Sequence, residues 1–94
     1  MNIFTIAGGT FNMNGNSGAS TLNINGNFSM AGGTITEIGS ATCTINFTGV
    51  SGQTYVKTSG TYANTVNFAI LSGAMVDFGT SVIDGSNGTF TLNA

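Results

Sequence analysis

At 94 residues, the chain has room for one small domain or a piece of a larger one. Its charged residues are Glu37, Lys57, Asp77 and Asp84, with a net charge of −2 and no histidine. One basic residue cannot supply the clustered Lys and Arg that nucleic acid or an anionic membrane surface requires, no apolar run is long enough to span a bilayer, and imidazole bases and His-ligated metals are excluded.

Gly (15), Thr (15), Asn (12) and Ser (9) make up 51 of the 94 residues. Such richness often marks disorder, but disordered chains are usually charged and poor in β-branched and aromatic residues. Here 40% of residues are hydrophobic, seven are Phe, and Ile, Val and Thr occur throughout. That mixture favours strands, and the absence of Pro removes a common obstacle to continuous ladders.

In chain order, period-two alternation predicts strands at 4–6, 11–13 and 22–24, then at 28–30, 35–38 and 45–47. Further strands are expected at 55–57, 66–70, 75–78, 82–83 and 90–92, with 52–62 the stretch that fits the pattern worst. Gly-rich turns separate them, including Ala7-Gly8-Gly9, Asn14-Gly15-Asn16-Ser17-Gly18, Ala31-Gly32-Gly33, Ser59-Gly60 and Asn87-Gly88. No stretch of helical length has the helical period, so no helix is predicted.

The segments repeat as well as alternate. Thr21-Leu22-Asn23-Ile24 returns as Thr44-Ile45-Asn46-Phe47, as Thr65-Val66-Asn67-Phe68, and loosely as Thr89-Phe90-Thr91-Leu92, at successive steps of 23, 21 and 24. Upstream, Phe4-Thr5-Ile6-Ala7-Gly8-Gly9-Thr10 returns as Phe28-Ser29-Met30-Ala31-Gly32-Gly33-Thr34, again at a step of 24. An antiparallel meander gives no reason for residue i to resemble residue i+23; a solenoid does, because like stacks on like. The expected fold is therefore an all-β, right-handed parallel β-helix of about four coils of 21–24 residues, with the hand following from the bias of parallel crossovers. The whole chain, 1–94, reads as one solenoid segment of a longer shaft or polymer. Thr21, Thr44, Thr65 and Thr89 are expected in one outward column, and Asn23, Asn46 and Asn67, followed by Thr91, in the next. Leu22, Ile45, Val66 and Phe90 should stack inside, as should Ile24, Phe47, Phe68 and Leu92. Cys43 shares the parity of Ile45 and Phe47 and reads as a small buried hydrophobe; alone, it can form no intrachain disulfide.

The phrases Leu22-Asn23-Ile24-Asn25-Gly26-Asn27-Phe28, Gly32-Gly33-Thr34, Thr44-Ile45-Asn46-Phe47-Thr48-Gly49, Gly52-Gln53-Thr54, Val66-Asn67-Phe68-Ala69-Ile70 and Gly88-Thr89-Phe90-Thr91-Leu92 cover most of the chain. This pattern resembles the low-complexity stalk repeats of large bacterial surface adhesins exported by the type IX secretion system. The resemblance implies a parallel β-helix, an extracellular or cell-surface location and a structural or adhesive role. These 94 residues contain no basic, apolar signal sequence, no export tail and no ligand-binding head, so those functions are expected elsewhere.

Chemistry is sparse. Glu37, Asp77 and Asp84 are scattered, with nothing to mark an acid–base pair. Asp84-Gly85 and Asn87-Gly88 read as turns rather than calcium ligands. Gly15-Asn16-Ser17-Gly18 lacks the lysine of a phosphate loop. No enzyme activity, cofactor or metal is expected. The alternative is a binding solenoid whose Thr/Asn face engages ice or polysaccharide. Thr34-Ile35-Thr36, Thr42-Cys43-Thr44 and Thr89-Phe90-Thr91 are the Thr-x-Thr segments, which do not recur at coil spacing, and Tyr55 and Tyr62 are the candidate sugar platforms. The first and last coils, 1–27 and 77–94, show no capping helix, Pro or charge cluster. Self-association end to end, or continuation into further coils, is expected.

Overall fold

The structure, a computed structural model, describes residues 2–13, 18–37, 43–81 and 90–93. Its strands are β1 (Phe4–Ile6), β2 (Thr10–Asn12), β3 (Ser20–Ile24), β4 (Phe28–Thr36), β5 (Cys43–Phe47), β6 (Gln53–Tyr62), β7 (Val66–Ile70), β8 (Val76–Asp77) and β9 (Phe90–Leu92). No helix occurs among the described residues. The predicted strand at 82–83 and the end of the one at 35–38 lie outside them.

Every strand pairing is parallel. One sheet stacks β1, β4, β6 and β8, with β2 also on β4, and the other stacks β3, β5, β7 and β9. The result is a parallel β-solenoid of about three turns. The first sheet is bent. The register of β4 on β6 shifts between Met30 and Ala31 and again before Thr34. Gly9, Gly33 and Gly60 all have positive φ at this bend. Each coil therefore has three sides. Side one carries β1, the start of β4, the start of β6, and β8. Side two carries β2 and the later parts of β4 and β6. Side three carries β3, β5, β7 and β9.

Alternation then fills the interior. Ile24, Phe28, Met30, Ile35, Cys43, Ile45, Phe47, Tyr55 and Val66 are fully buried. Aromatic rings form a column up side one. Phe4 stacks on Phe28 at 5.2 Å, Phe28 on Tyr55 at 4.9 Å, and Tyr55 meets Phe78 at 4.9 Å. Phe47 fills the space between sides, edge-on to Phe28 and Tyr55 and stacked on Phe68 at 6.3 Å.

The repeat placed β3 on β5 correctly, with Thr21↔Thr44, Leu22↔Ile45, Asn23↔Asn46 and Ile24↔Phe47. The next step differs. Ile45 pairs with Phe68 and Phe47 with Ile70, a step of 23 rather than 21. Above them Phe68 pairs with Phe90 and Ile70 with Leu92. Because side chains alternate with period two, a slip of two leaves every residue on its expected face. Backbone ladders do not read side-chain identity, so the Thr-x-Asn phrase could not hold the register against the inward series Cys43, Ile45, Phe47 on Val66, Phe68, Ile70. The interior columns are therefore Leu22–Ile45–Phe68–Phe90 and Ile24–Phe47–Ile70–Leu92.

Two further expectations are corrected. Phe28 pairs with Tyr55, a step of 27 that exceeds the expected 21–24, and the stretch at 52–62 is almost entirely the long strand β6. On the last rung, Phe90 is 50% and Leu92 69% exposed, while Leu22 is half-buried on the first. A rung receives half of its cover from the rung beyond, and among the described residues no strand lies beyond β9.

Gln53 closes the corner between sides three and one. Its Oε1 accepts from the Gly49 N–H at 2.7 Å, and its Nε2 donates to the carbonyls of Ile24 at 3.1 Å and Gly26 at 2.6 Å. One amide thus satisfies backbone groups of its own corner and of the turn below while 1% exposed. Gln53→Leu should cost about 1–3 kcal/mol for the stranded Gly49 N–H alone. The loss would be read as a lower urea midpoint at unchanged slope.

Candidate functional site on the outward faces

With the interior filled mainly by apolar side chains, recognition chemistry falls to outward positions, and each side presents its own set. Side three carries the predicted polar ladder. Thr21 lies under Thr44 and Asn23 under Asn46, and Asn46 Nδ2 donates to Asn23 Oδ1 at 2.9 Å. There the predicted columns end. Asn67 stands over Thr44, and Ala69 over Asn46 with Thr91 above it. Thr65 precedes β7 and joins no threonine column; its N–H donates to Glu37 Oε1 at 3.0 Å. Thr89 lies outside the described residues. The side-three face is thus Thr21, Asn23, Thr44, Asn46, Asn67, Ala69 and Thr91, and its uniform Thr/Asn pattern holds for two rungs. The Asn23–Asn46 bond is exposed, so Asn46→Ala should change stability by less than about 0.5 kcal/mol, measured by urea unfolding.

Side two carries a column that the sequence repeats do not reveal in full. Thr10 pairs with Thr34, and Thr34 with Thr61; beside them Asn12 pairs with Thr36. The Gly-Gly-Thr repeat held the signal for the first two rungs. The longer step to β6 hid the third. At the next corner Asn64 takes a left-handed conformation with φ 60°. Its Nδ2 donates to Thr36 Oγ1 at 3.0 Å and to the Glu37 carbonyl at 2.8 Å. This ties the edge of the Thr/Asn face to the rung below. Side one presents Thr5, Ser29 and Val56 in one column, and Thr54 and Asp77 in another.

The remaining candidate groups do not converge. Glu37 is buried; one of its oxygens accepts from Thr65, and the other has no hydrogen-bond partner among the described residues. Asp77 is on the outer face of β8, where Oδ1 accepts from the Gly79 N–H at 2.8 Å. Asp84 lies outside the described residues. Among the described residues no three His, Cys, Asp or Glu side chains are placed to share a metal ion. Cys43 is buried in the interior, as its parity predicted. A recess of about 240 Å³ beside Asp77 is lined by Thr54, Tyr55, Val56, Phe78 and the 79–81 turn. Tyr55 and Tyr62 are not sugar platforms. Both are buried, with their hydroxyls 2.6 Å apart: Tyr55 lies at the inward parity of the first part of β6, and the register shift at the bend brings Tyr62, paired with Ile35, inside as well. Lys57 lies at inward parity too, with Nζ 5.4 Å from the centre of the Tyr62 ring, so the lone basic residue is turned from the polar faces.

No protein-family model, curated protein or solved structure matches the chain.

Proposed function

We propose that the chain is a structural segment of an extracellular bacterial adhesin or filament. It acts as a stiff spacer or a self-stacking fibre unit, with no catalytic role. The observation that supports this most directly is the continuous stacking of like on like, with parallel ladders on every rung and an aromatic column from Phe4 to Phe78. Such a body resists bending because moving one rung strains the ladders on both sides of it. Among the described residues the outward faces are nearly uncharged and bring no chemical groups together, which suits a shaft. The stalk-like phrases add the surface location and the type IX export route to the reading. The test is antibody labelling of intact and permeabilised producing cells, followed by electron microscopy. Label on surface fibres or stalks of unpermeabilised cells is expected. Label only after permeabilisation would overturn the location.

One observation favours a second reading. The Thr10–Thr34–Thr61 column, with Asn12 and Thr36 beside it, gives side two an uncharged hydroxyl array at the strand spacing of about 4.8 Å. An array of that kind suits ice or a polysaccharide. Thermal hysteresis and glycan retention, each abolished by Thr34→Tyr, would support this binding role.

A further inference from the structure

The corner that carries the chain from β3 on side three to β4 on side one contains the dipeptide Asn25-Gly26. Asparagine followed by glycine is prone to modify itself, because a glycine nitrogen meets no side chain on its way to the asparagine carboxamide. The Gly26 nitrogen bonds to Asn25 Cγ, gives up its proton to solvent and expels the side-chain nitrogen as ammonia. Water then opens the cyclic imide at one carbonyl or the other and leaves aspartate or isoaspartate. Water is the only co-reactant, and Asn25 is exposed to it.

The reaction has a conformational requirement. The Asn25–Gly26 peptide must turn about the Asn25 Cα–C bond until its nitrogen faces Cγ, which swings the Asn25 carbonyl and displaces Gly26. In the folded chain that peptide is anchored on both flanks. The Ile24 carbonyl before it and the Gly26 carbonyl after it accept from the same donor, Gln53 Nε2, at 3.1 and 2.6 Å. Ile24 also accepts from the Thr48 N–H at 2.9 Å. Beyond Gly26, the Asn27 carbonyl accepts from the Phe4 N–H at 3.0 Å and Asn27 Oδ1 from the Thr54 N–H at 2.9 Å. Neither face of the corner has room for the rotation. A Cβ on Gly26 would overlap the Asn2 carbonyl, and a Cβ on Gly49 would overlap the Asn25 carbonyl oxygen. The peptide is thus held between Asn2 on one face and Gly49 on the other.

We infer that Asn25-Gly26 is a latent self-modification site and that Gln53 keeps it closed. Gln53 bonds both carbonyls that flank the reactive peptide, and its Oε1 accepts from the Gly49 N–H at 2.7 Å. While these three bonds persist, the Gly26 nitrogen cannot reach Cγ. Once they break and the imide forms, the change is not reversed by refolding. Either product places a negative charge on an uncharged corner, and isoaspartate also adds a methylene to the backbone between β3 and β4. A transient parting of two coils is thereby converted into a permanent covalent mark. The inference is independent of the shaft reading, since it concerns one corner and the coils packed against it.

The test follows Asn25 by peptide mass spectrometry and an isoaspartate assay, in the full chain incubated at mildly alkaline pH. Folded wild type should convert at least about tenfold more slowly than the same chain in urea above its midpoint, because a site that reacts only when open reacts in proportion to its open population. Gln53→Leu, still folded by circular dichroism, should convert several-fold faster than wild type. Gly33→Ala, which weakens a different bend, should convert at the wild-type rate while folded. Equal rates in folded and unfolded wild type would overturn the inference. So would a folded Gln53→Leu chain that converts at the wild-type rate, or equal acceleration by the two variants. A measurement on wild type alone covers a Gln53→Leu chain that fails to fold. The Gly49 N–H donates to Gln53 Oε1, so its hydrogen exchange reports the release of Gln53. In urea below the midpoint, Asn25 conversion and Gly49 exchange should rise by the same factor. Conversion that stays constant while Gly49 exchange rises would remove Gln53 from the role.

Discussion

Phe47→Ala should lower stability by about 3–5 kcal/mol, the range for deleting a buried aromatic side chain. Phe47 is fully buried and is the ring that bridges two sides of the coil. It meets Phe28 and Tyr55 edge-on at 6.1 and 6.0 Å and stacks on Phe68 at 6.3 Å. Its backbone lies between Ile24 below and Ile70 above. Removing the ring leaves a cavity walled by two ladders, and rigid ladders cannot collapse into it, which places the cost toward the upper end. Small domains have only about 5–15 kcal/mol in total. Each kcal/mol moves the melting temperature of a domain this size by about 4–8 °C, so Tm should fall by tens of degrees. Phe90→Ala is the control. Phe90 is in the neighbouring interior column but half exposed on the last rung, and its truncation should cost far less. Equal losses for the two variants would mean that the interior columns are misassigned.

How far the sequence reveals this fold depends on which property carries the information. Alternation in Leu22-Asn23-Ile24 and Val66-Asn67-Phe68 determined which face each residue occupies, and parity survived the slip of two in β7. Identity was a weaker guide. Thr65-Val66-Asn67 looks like Thr44-Ile45-Asn46, yet Asn67 settles over Thr44. The ladder is satisfied in either register, and the choice passes to the interior side chains and to the length of the connecting corner. The same limit hid the side-two column, since Thr61 follows a coil of different length. Buried polar groups were illegible for another reason. Gln53, Glu37 and the Tyr55–Tyr62 hydroxyl pair meet partners on the adjacent coil, at a corner or across a bend. No local pattern announces such contacts. Conversely, the burial of Cys43 followed from parity alone.

Gly33→Ala should destabilise the chain by about 2–5 kcal/mol, and the reason is local to the bend that makes side two. Gly33 has φ +82°, and a Cβ there would lie 2.6 Å from the Gly9 carbonyl oxygen and 2.9 Å from the Gly8 carbonyl carbon. The Gly9 oxygen already accepts from the Thr34 N–H at 2.9 Å. The left-handed conformation alone costs an L-residue about 1–2 kcal/mol, and forcing atoms into a packed site adds about 1–3 kcal/mol. Gly73→Ala separates these contributions. Gly73 has φ +85° but no described atom within 4 Å of where a Cβ would stand, so it should show the conformational cost alone. Both losses can be read from urea unfolding followed by circular dichroism. If Gly33→Ala cost no more than Gly73→Ala, rungs one and two would not be in contact at the bend. Thr10 and Thr34 would then lose their shared column, and the hydroxyl array of side two would lose its basis. If the larger loss is found, the stacked glycines are what permit β2, β4 and β6 to turn the corner within hydrogen-bonding distance. The third side of the shaft, with the face it presents, then depends on a backbone contact that no side chain can replace.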